Sequence, residues 1–319
     1  MKVSMKTFSK RLWDESGMLI VFIVLFAALA LFVPFFFSWV NMIGLMLSVS
    51  MVGMVACTML FCLASGDFDL SVEAVVAFSG VIAAVVINQT GSVSAGIVMG
   101  VLAGAVVGMV NGVIIAKFKI NALITTLATM QIVKGLTFIA SSGSAVGIYV
   151  PRFFLLGTGR TLDIPNPIWI TALLFLAFGF LLNKTTYGRN TLAIGGNKEA
   201  ARLSGINVDR IKIVIFAVQG LIAGFAGVVL ASRMTSGQPN TSQGFSLDVI
   251  SACVLGGVSL SGGAGTITGT IVGVLIMGTV QNAMNLMNIS SFYQYVVRGC
   301  ILLAAVLFDQ FKQNRLKKA

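Results

Sequence analysis

Apolar residues in this chain recur in runs of about 20, the length a helix needs to cross a ~30 Å hydrocarbon core. Five runs fall in the first half, at Met18–Phe37, Met42–Leu63, Val72–Ile87, Ala95–Ala116 and Ala122–Ala140. The second half repeats the pattern at Pro167–Leu182, Ile213–Ala231, Thr266–Met284 and Phe292–Phe308, with Ser246–Val258 too short to cross untilted. The runs are continuously apolar rather than alternating, which excludes a β-barrel. The expected fold is therefore an all-α polytopic bundle of about ten spans. Two of these follow polar, Gly-containing interruptions: Ser65–Ser71 (SGDFDLS) and Ser232–Gly244 (SRMTSGQPNTSQG), the latter outer or partly re-entrant. Ser259–Gly265 (SLSGGAG) reads as a hinge. Phe68–Val72 (FDLSV) resembles Phe245–Val249 (FSLDV), each opening an apolar helix after a break. Two five-span units would form an inverted repeat.

The longest polar interval is Asn183–Lys212, where Lys184, Arg189, Lys198, Arg202, Arg210 and Lys212 stand against Glu199 and Asp209. It contains a short helix signature. Asn197 is a good N-cap, residues 198–204 form helix, and Gly205 supplies the left-handed stop. About two turns long, such a helix is unstable alone and must dock. Ala200 and Ala201 offer a small-residue face for a partner, rimmed by Lys198, Glu199 and Arg202. Domain boundaries follow: residues 1–17 a cytoplasmic tail, 18–309 the membrane domain with 183–212 as its cytoplasmic connector, and 310–319 a basic tail.

Charge sharpens the picture. The chain has 319 residues, 57% hydrophobic and 10% charged, and a net charge of +11. The cations sit between spans and at the ends, a positive-inside pattern and not a nucleic-acid footprint. Lys2, Lys6, Lys10 and Arg11 before the first span, and Lys312, Arg315, Lys317 and Lys318 after the last, put both termini inside. No cleavable signal peptide is expected, because the first run is too long and lacks a small-x-small site. Histidine is absent, which removes the commonest general base and metal ligand. Cys57, Cys62, Cys253 and Cys300 fall in apolar runs without C-x-x-C spacing and read as small buried hydrophobes. No phosphate-binding loop occurs: Gly262-Gly-Ala-Gly265 lacks the required lysine. Nothing points to an enzyme, a cofactor or a metal.

Intramembrane polar groups remain as functional pointers. Asp67, Asp69 and Glu73 cluster at the first break, with Asp69 and Glu73 one turn apart on one face. They line a pathway, or else Asp69 caps the third span and its neighbour sits at head-group level. Asn111, Gln131, Gln219, Gln281 and Asn282 line a route for a hydroxyl-rich solute or hydrogen-bond between helices. The fifth span is unusually polar, with Thr125, Thr126, Thr129, Gln131 and Lys134. Arg233 and Asp248 flank the second break, as a salt bridge across it or as part of the same pathway.

Glu199-Ala-Ala-Arg-Leu-Ser-Gly205 resembles the coupling-helix motif E-A-A-x-x-x-G of ABC importer permeases. SGDFDLSV (65–72), NGVIIAKFKINALITTLATMQIVKG (111–135), the 231–266 stretch and QYVVRGCILLAAVLFD (294–309) are similar to the ribose/xylose/arabinose/galactose branch of monosaccharide permeases, most of all its L-arabinose members. That resemblance spans nearly the whole chain. It implies a homodimeric unit in the cell inner membrane, a cytosolic ATPase gripping Asn197, Glu199, Ala200, Ala201, Arg202 and Gly205, and a periplasmic sugar-binding protein on the outer loops. A rival reading is a stand-alone symporter using Asp67, Asp69 and Glu73 as ion or proton ligands.

Overall fold

Hydrophobic length accounts for most of the architecture. The computed structural model describes residues 5–318, and their side chains from Gly17 to Phe311. Lys2 and the side chains of Lys6, Lys10, Arg11, Lys312, Arg315, Lys317 and Lys318, on which the expected orientation rests, lie outside that description.

Helices α1 (Met5–Phe32), α2 (Trp39–Ala64), α3 (Val72–Thr90), α4 (Val93–Lys117) and α5 (Ala122–Ala140) make up the first half. A small cap follows, with strand β1 (Val146–Gly147), a 3-10 turn (Pro151–Phe154), α6 (Leu155–Thr158) and the β2–β3 hairpin (Arg160–Thr161, Ile164–Pro165). Next come α7 (Asn166–Lys184), α8 (Thr186–Gly196), α9 (Lys198–Leu203), α10 (Val208–Met234), β4 (Ser236–Gly237), α11 (Phe245–Leu255), α12 (Ile267–Leu286) and α13 (Ser291–Lys318). Among the described residues, eight helices are long and apolar enough to cross a membrane, and the apolar Gly17–Phe32 part of α1 and Phe245–Leu255 supply the other two expected segments. The first run ends early, at Phe32: Val33–Phe37 form a turn before Pro34 can be absorbed, and Ser38 caps α2 by accepting from the Asn41 amide at 3.3 Å. Asn183–Lys212 is less of a loop than expected, because α8 fills most of its first half.

α2 is the mast of the bundle. Every residue from Met54 to Ala64 is buried, against α7, α10, α11 and α12. Hydrocarbon gives no hydrophobic drive for helices to associate, so backbone proximity has to do it. At the α4–α10 seam, a Cβ on Gly104 would stand 2.4 Å from the Gly220 carbonyl oxygen, and one on Gly220 2.3 Å from that of Gly104. These small-residue pairs are packing devices. Asn41 and Asn282 exchange amide hydrogen bonds at 2.9 and 2.8 Å, joining α2 to α12. Of the cysteines, Cys57, Cys62 and Cys253 are buried as expected, whereas Cys300 is exposed on α13, which buries little of its surface.

The two interruptions are true breaks, and they run in opposite senses. Ala64, the end of α2, accepts a hydrogen bond from Gly263 at 2.9 Å and touches Gly195 of α8, at the end of the bundle where α10 begins. α2 thus finishes where α10 starts. Each then breaks and gives a helix, α3 or α11, that starts inside the bundle. The FDLSV/FSLDV match sets Ser71 opposite Asp248. Thr129 and Arg298 hold the same place in α5 and α13, at the eighth residue of each. Ser71 reaches Thr129 through Asn111, and Asp248 binds Arg298 directly. The second break is re-entrant. Gly237 packs against Gly80 and Val81 midway along α3, and Gly244 reaches Glu73 at its start, about 10 Å farther along at 1.5 Å per residue.

Candidate coupling surface and pathway residues

α9 forms for the reasons its sequence gives. The Asn197 side chain accepts from the Ala200 amide at 2.9 Å, Ser204 donates to the Ala200 carbonyl, and Gly205 turns left-handed at φ +84°. The Ile206 amide then reaches back to the Ala201 carbonyl at 3.1 Å. One expectation is corrected. Ala201 does not face a partner: it is 5% exposed and packs with Ile194 and Val208, the contact that docks this six-residue helix on its own protein. The outward surface consists of Lys198, Glu199, Ala200, Arg202 and Leu203. Leu203, 89% exposed, lies outside the set expected from the motif, although an apolar residue in the last turn of a charged helix is itself a signal of contact.

α8 mounts α9 on the bundle. Tyr187 stacks on Phe61 of α2, with ring centres 5.6 Å apart, and burial pushes its phenol above the ordinary range. Gly195 fits between the Ala64 carbonyl and the Gly263 amide, where a Cβ would fall 1.9 Å from the former. The first break, the 259–265 turn and α8 therefore meet at one point. Beside it the Asp67 carboxylate lies 2.6 Å from the ammonium of Lys212, in the first turns of α10. Lys117 and Asp209 approach to 3.8 Å nearby, an exposed pair of little energetic weight.

The first-break acids take separate partners. Asp69 precedes α3 rather than sharing a helical face with Glu73: its Oδ1 accepts from the Ser71 amide at 2.9 Å and hydroxyl at 2.6 Å, closing the turn before the helix. Asn111 donates to the Ser71 hydroxyl at 2.9 Å and accepts from Thr129 at 2.6 Å, so its role is interhelical. Glu73, half-buried in the first turn of α3, turns toward the second break: its Oε2 accepts from the Gly244 amide at 2.8 Å and the Ser246 hydroxyl at 3.3 Å. Turned three ways, these carboxylates form no common cage, and among the described residues no cluster of three metal-binding side chains occurs.

Gln131 is exposed on α5, and Gln219 is wholly buried on α10. The expected Arg233–Asp248 pair is not formed. Asp248 binds Arg298 of α13 at 3.1 Å, because the re-entrant chain carries Asp248 deep into the bundle while Arg233 stays at the far end of α10, its backbone against Gly157. Lys212 and Arg298, partners that sequence spacing did not reveal, come from elements far away in the chain.

Residues 41–306 match the family described as "Branched-chain amino acid transport system / permease component". The L-arabinose transport system permease protein AraH of Escherichia coli (strain K12) is 64% identical over 304 residues, covering 95% of this chain and 93% of that protein. The L-arabinose ABC transporter permease protein AraH of Azospirillum brasilense is 58% identical over 305 residues, 96% of this chain and 90% of its own. The ribose import permease protein RbsC of E. coli K12 is 38% identical over 314 residues, 96% of this chain and 97% of its own. No solved structure matches.

Proposed function

Since the chain belongs to the family of branched-chain amino acid transport system permease components, we propose that it is the membrane subunit of an ATP-driven monosaccharide importer with L-arabinose as cargo. α9 is the observation that carries this reading. A short capped helix, held from behind by Ala201 and offering Glu199, Arg202 and Leu203 outward, suits a cleft on a separate ATPase. Its mounting gives it mechanical reach. A push on α9 acts on α8 and α10, which meet the first break at Gly195 and at the Lys212–Asp67 pair. Closure of the motor can thus tilt spans as rigid bodies.

The AraH relatives support L-arabinose, a periplasmic sugar-binding protein and an ATP-hydrolysing partner. The largely exposed cap over residues 141–165 is the surface offered to the receptor. Lys117, Lys119, Lys184, Arg189, Lys198, Arg202 and Arg210 crowd the α9 end, which the positive-inside rule assigns to the cytosol of an inner-membrane protein with both termini inside. Two copies form the membrane unit. The chain itself performs no catalysis. The symporter reading is not favoured, since Asp67, Asp69 and Glu73 already have separate protein partners.

Proteoliposomes holding the permease, its ATPase and its receptor provide the test. Uptake of labelled L-arabinose should require internal-face ATP and exceed that of ribose, xylose and galactose. Accumulation by the permease alone, driven by an ion gradient, would overturn the proposal.

A further inference from the structure

Residues 238–244 follow α3 through the depth of the bundle without helical or strand structure. Such backbone cannot face hydrocarbon; it is tolerated only within protein or beside water. Across from it stands α5, with Lys134 half-buried in mid-helix and making no hydrogen bond or ion pair among the described residues. An ammonium at that depth is costly in hydrocarbon, so it belongs on a water-accessible face. Exposed Gln131, one turn earlier on α5, belongs to the same polar surface.

Loop and helix border a cavity of about 10 Å³ whose wall is apolar at Met130, Pro239 and two alanines of α3, and polar at Glu73, Lys134, Thr137, Asn240, Thr241 and Gln243. That is room for about one water and far too little for a sugar. Glu73 spends Oε2 on Gly244 and Ser246, while its Oε1 forms no hydrogen bond among the described residues. The walls therefore offer an ammonium donor, a carboxylate acceptor, two amides that both donate and accept, and hydroxyls. Donors and acceptors set beside the apolar Met130 and Pro239 suit a neutral polyhydroxylated solute, which presents both hydroxyls and C–H faces. The loop's other end is β4, paired with β1 at Val146–Gly237 and Gly147–Ser236, so a pull on the cap reaches it directly.

We propose that Glu73, Lys134, Asn240 and Gln243 form an intramembrane contact site for the hydroxyls of a passing monosaccharide, with the 238–244 segment as the wall that withdraws to admit it. The inference rests on the importer reading and names the part of the pathway that touches cargo. In the complete proteoliposome system, Lys134→Met and Asn240→Leu should each cut uptake at least tenfold and alter the ratio of L-arabinose to galactose carried. Receptor-stimulated ATP hydrolysis should persist. Unchanged rates and an unchanged ratio would overturn the site, whereas wild-type complex without ATP-driven uptake would defeat the importer reading instead. Asn240→Cys, combined with Cys300→Ser, decides independently of transport. A water-soluble maleimide should modify it during turnover, and failure to react in every nucleotide state would show that the loop never meets water.

Discussion

Lys212 holds Asp67 at 2.6 Å, with the two side chains only 9% and 10% exposed. Such a pair is costly to break from one side, because the survivor stays buried and charged. Asp67→Asn or Lys212→Met alone should lower stability by about 3–5 kcal/mol. The double variant should regain at least half of that loss. Thermal unfolding of the purified protein in detergent reads the comparison, and additive losses would remove the pair from the account.

Two neighbours on α9 should behave oppositely. Ala201→Leu overfills the space shared with Ile194 and Val208 and should cost about 1–3 kcal/mol of stability. Leu203→Ser, at a fully exposed position, should leave stability within about 0.5 kcal/mol. It should nonetheless weaken ATPase capture at least tenfold, as loss of an interface anchor does. Melting curves beside co-purification yields separate the two; equal capture by Leu203→Ser and wild type would remove Leu203 from the interface.

Glycine substitutions along α2, α4 and α10 should not be equivalent. A Cβ on Gly108 would lie 2.2 Å from the Phe216 carbonyl oxygen and 2.9 Å from the Gly220 Cα, and backbone cannot yield as a side chain can. Gly108→Ala should therefore abolish most of the monodisperse protein recovered by size exclusion. Gly44→Ala meets nothing within 4 Å and should gain about 0.5–1 kcal/mol from helix propensity. Equal recovery of both variants would mean that the seam can open.

Gln219 is wholly buried, and neither its amide nitrogen nor its oxygen has a partner among the described residues. Gln219→Met keeps the volume and removes the unsatisfied groups, which cost about 1–3 kcal/mol when buried. The variant should melt higher than wild type. A lower melting temperature would mean that the amide is paired in the folded protein.

Much of this was legible from the chain. Span positions follow from hydrophobic length, and α9 follows from Asn197 and Gly205, whose cap and left-handed turn are local chemistry. Partners across the fold were not legible. Nothing near Asp67 in sequence points to Lys212, and the sequence pairs Asp248 with Arg233 across the break because the re-entrant depth of residues 238–244 has no local signature. α8 was hidden for a related reason: its polar composition, TYGRNTLAIGG, describes a surface helix and a loop equally well. Ala201 faces inward, which its sequence does not reveal: sequence shows that a residue is small, not which way it points.

The interlocked glycines of α4 and α10 have a mechanical corollary. With carbonyls nested directly against opposing Cα atoms at Gly104, Gly108 and Gly220, and with Phe216 and Val228 of α10 packed on Gly112 and Gly100, the two helices are locked together along their length. α10 runs unbroken from residue 208 to the far rim at Met234, where the chain doubles back along α3, so it can carry a displacement from one end to the other. A lever of that stiffness lets a six-residue handle at one membrane surface do work near the other.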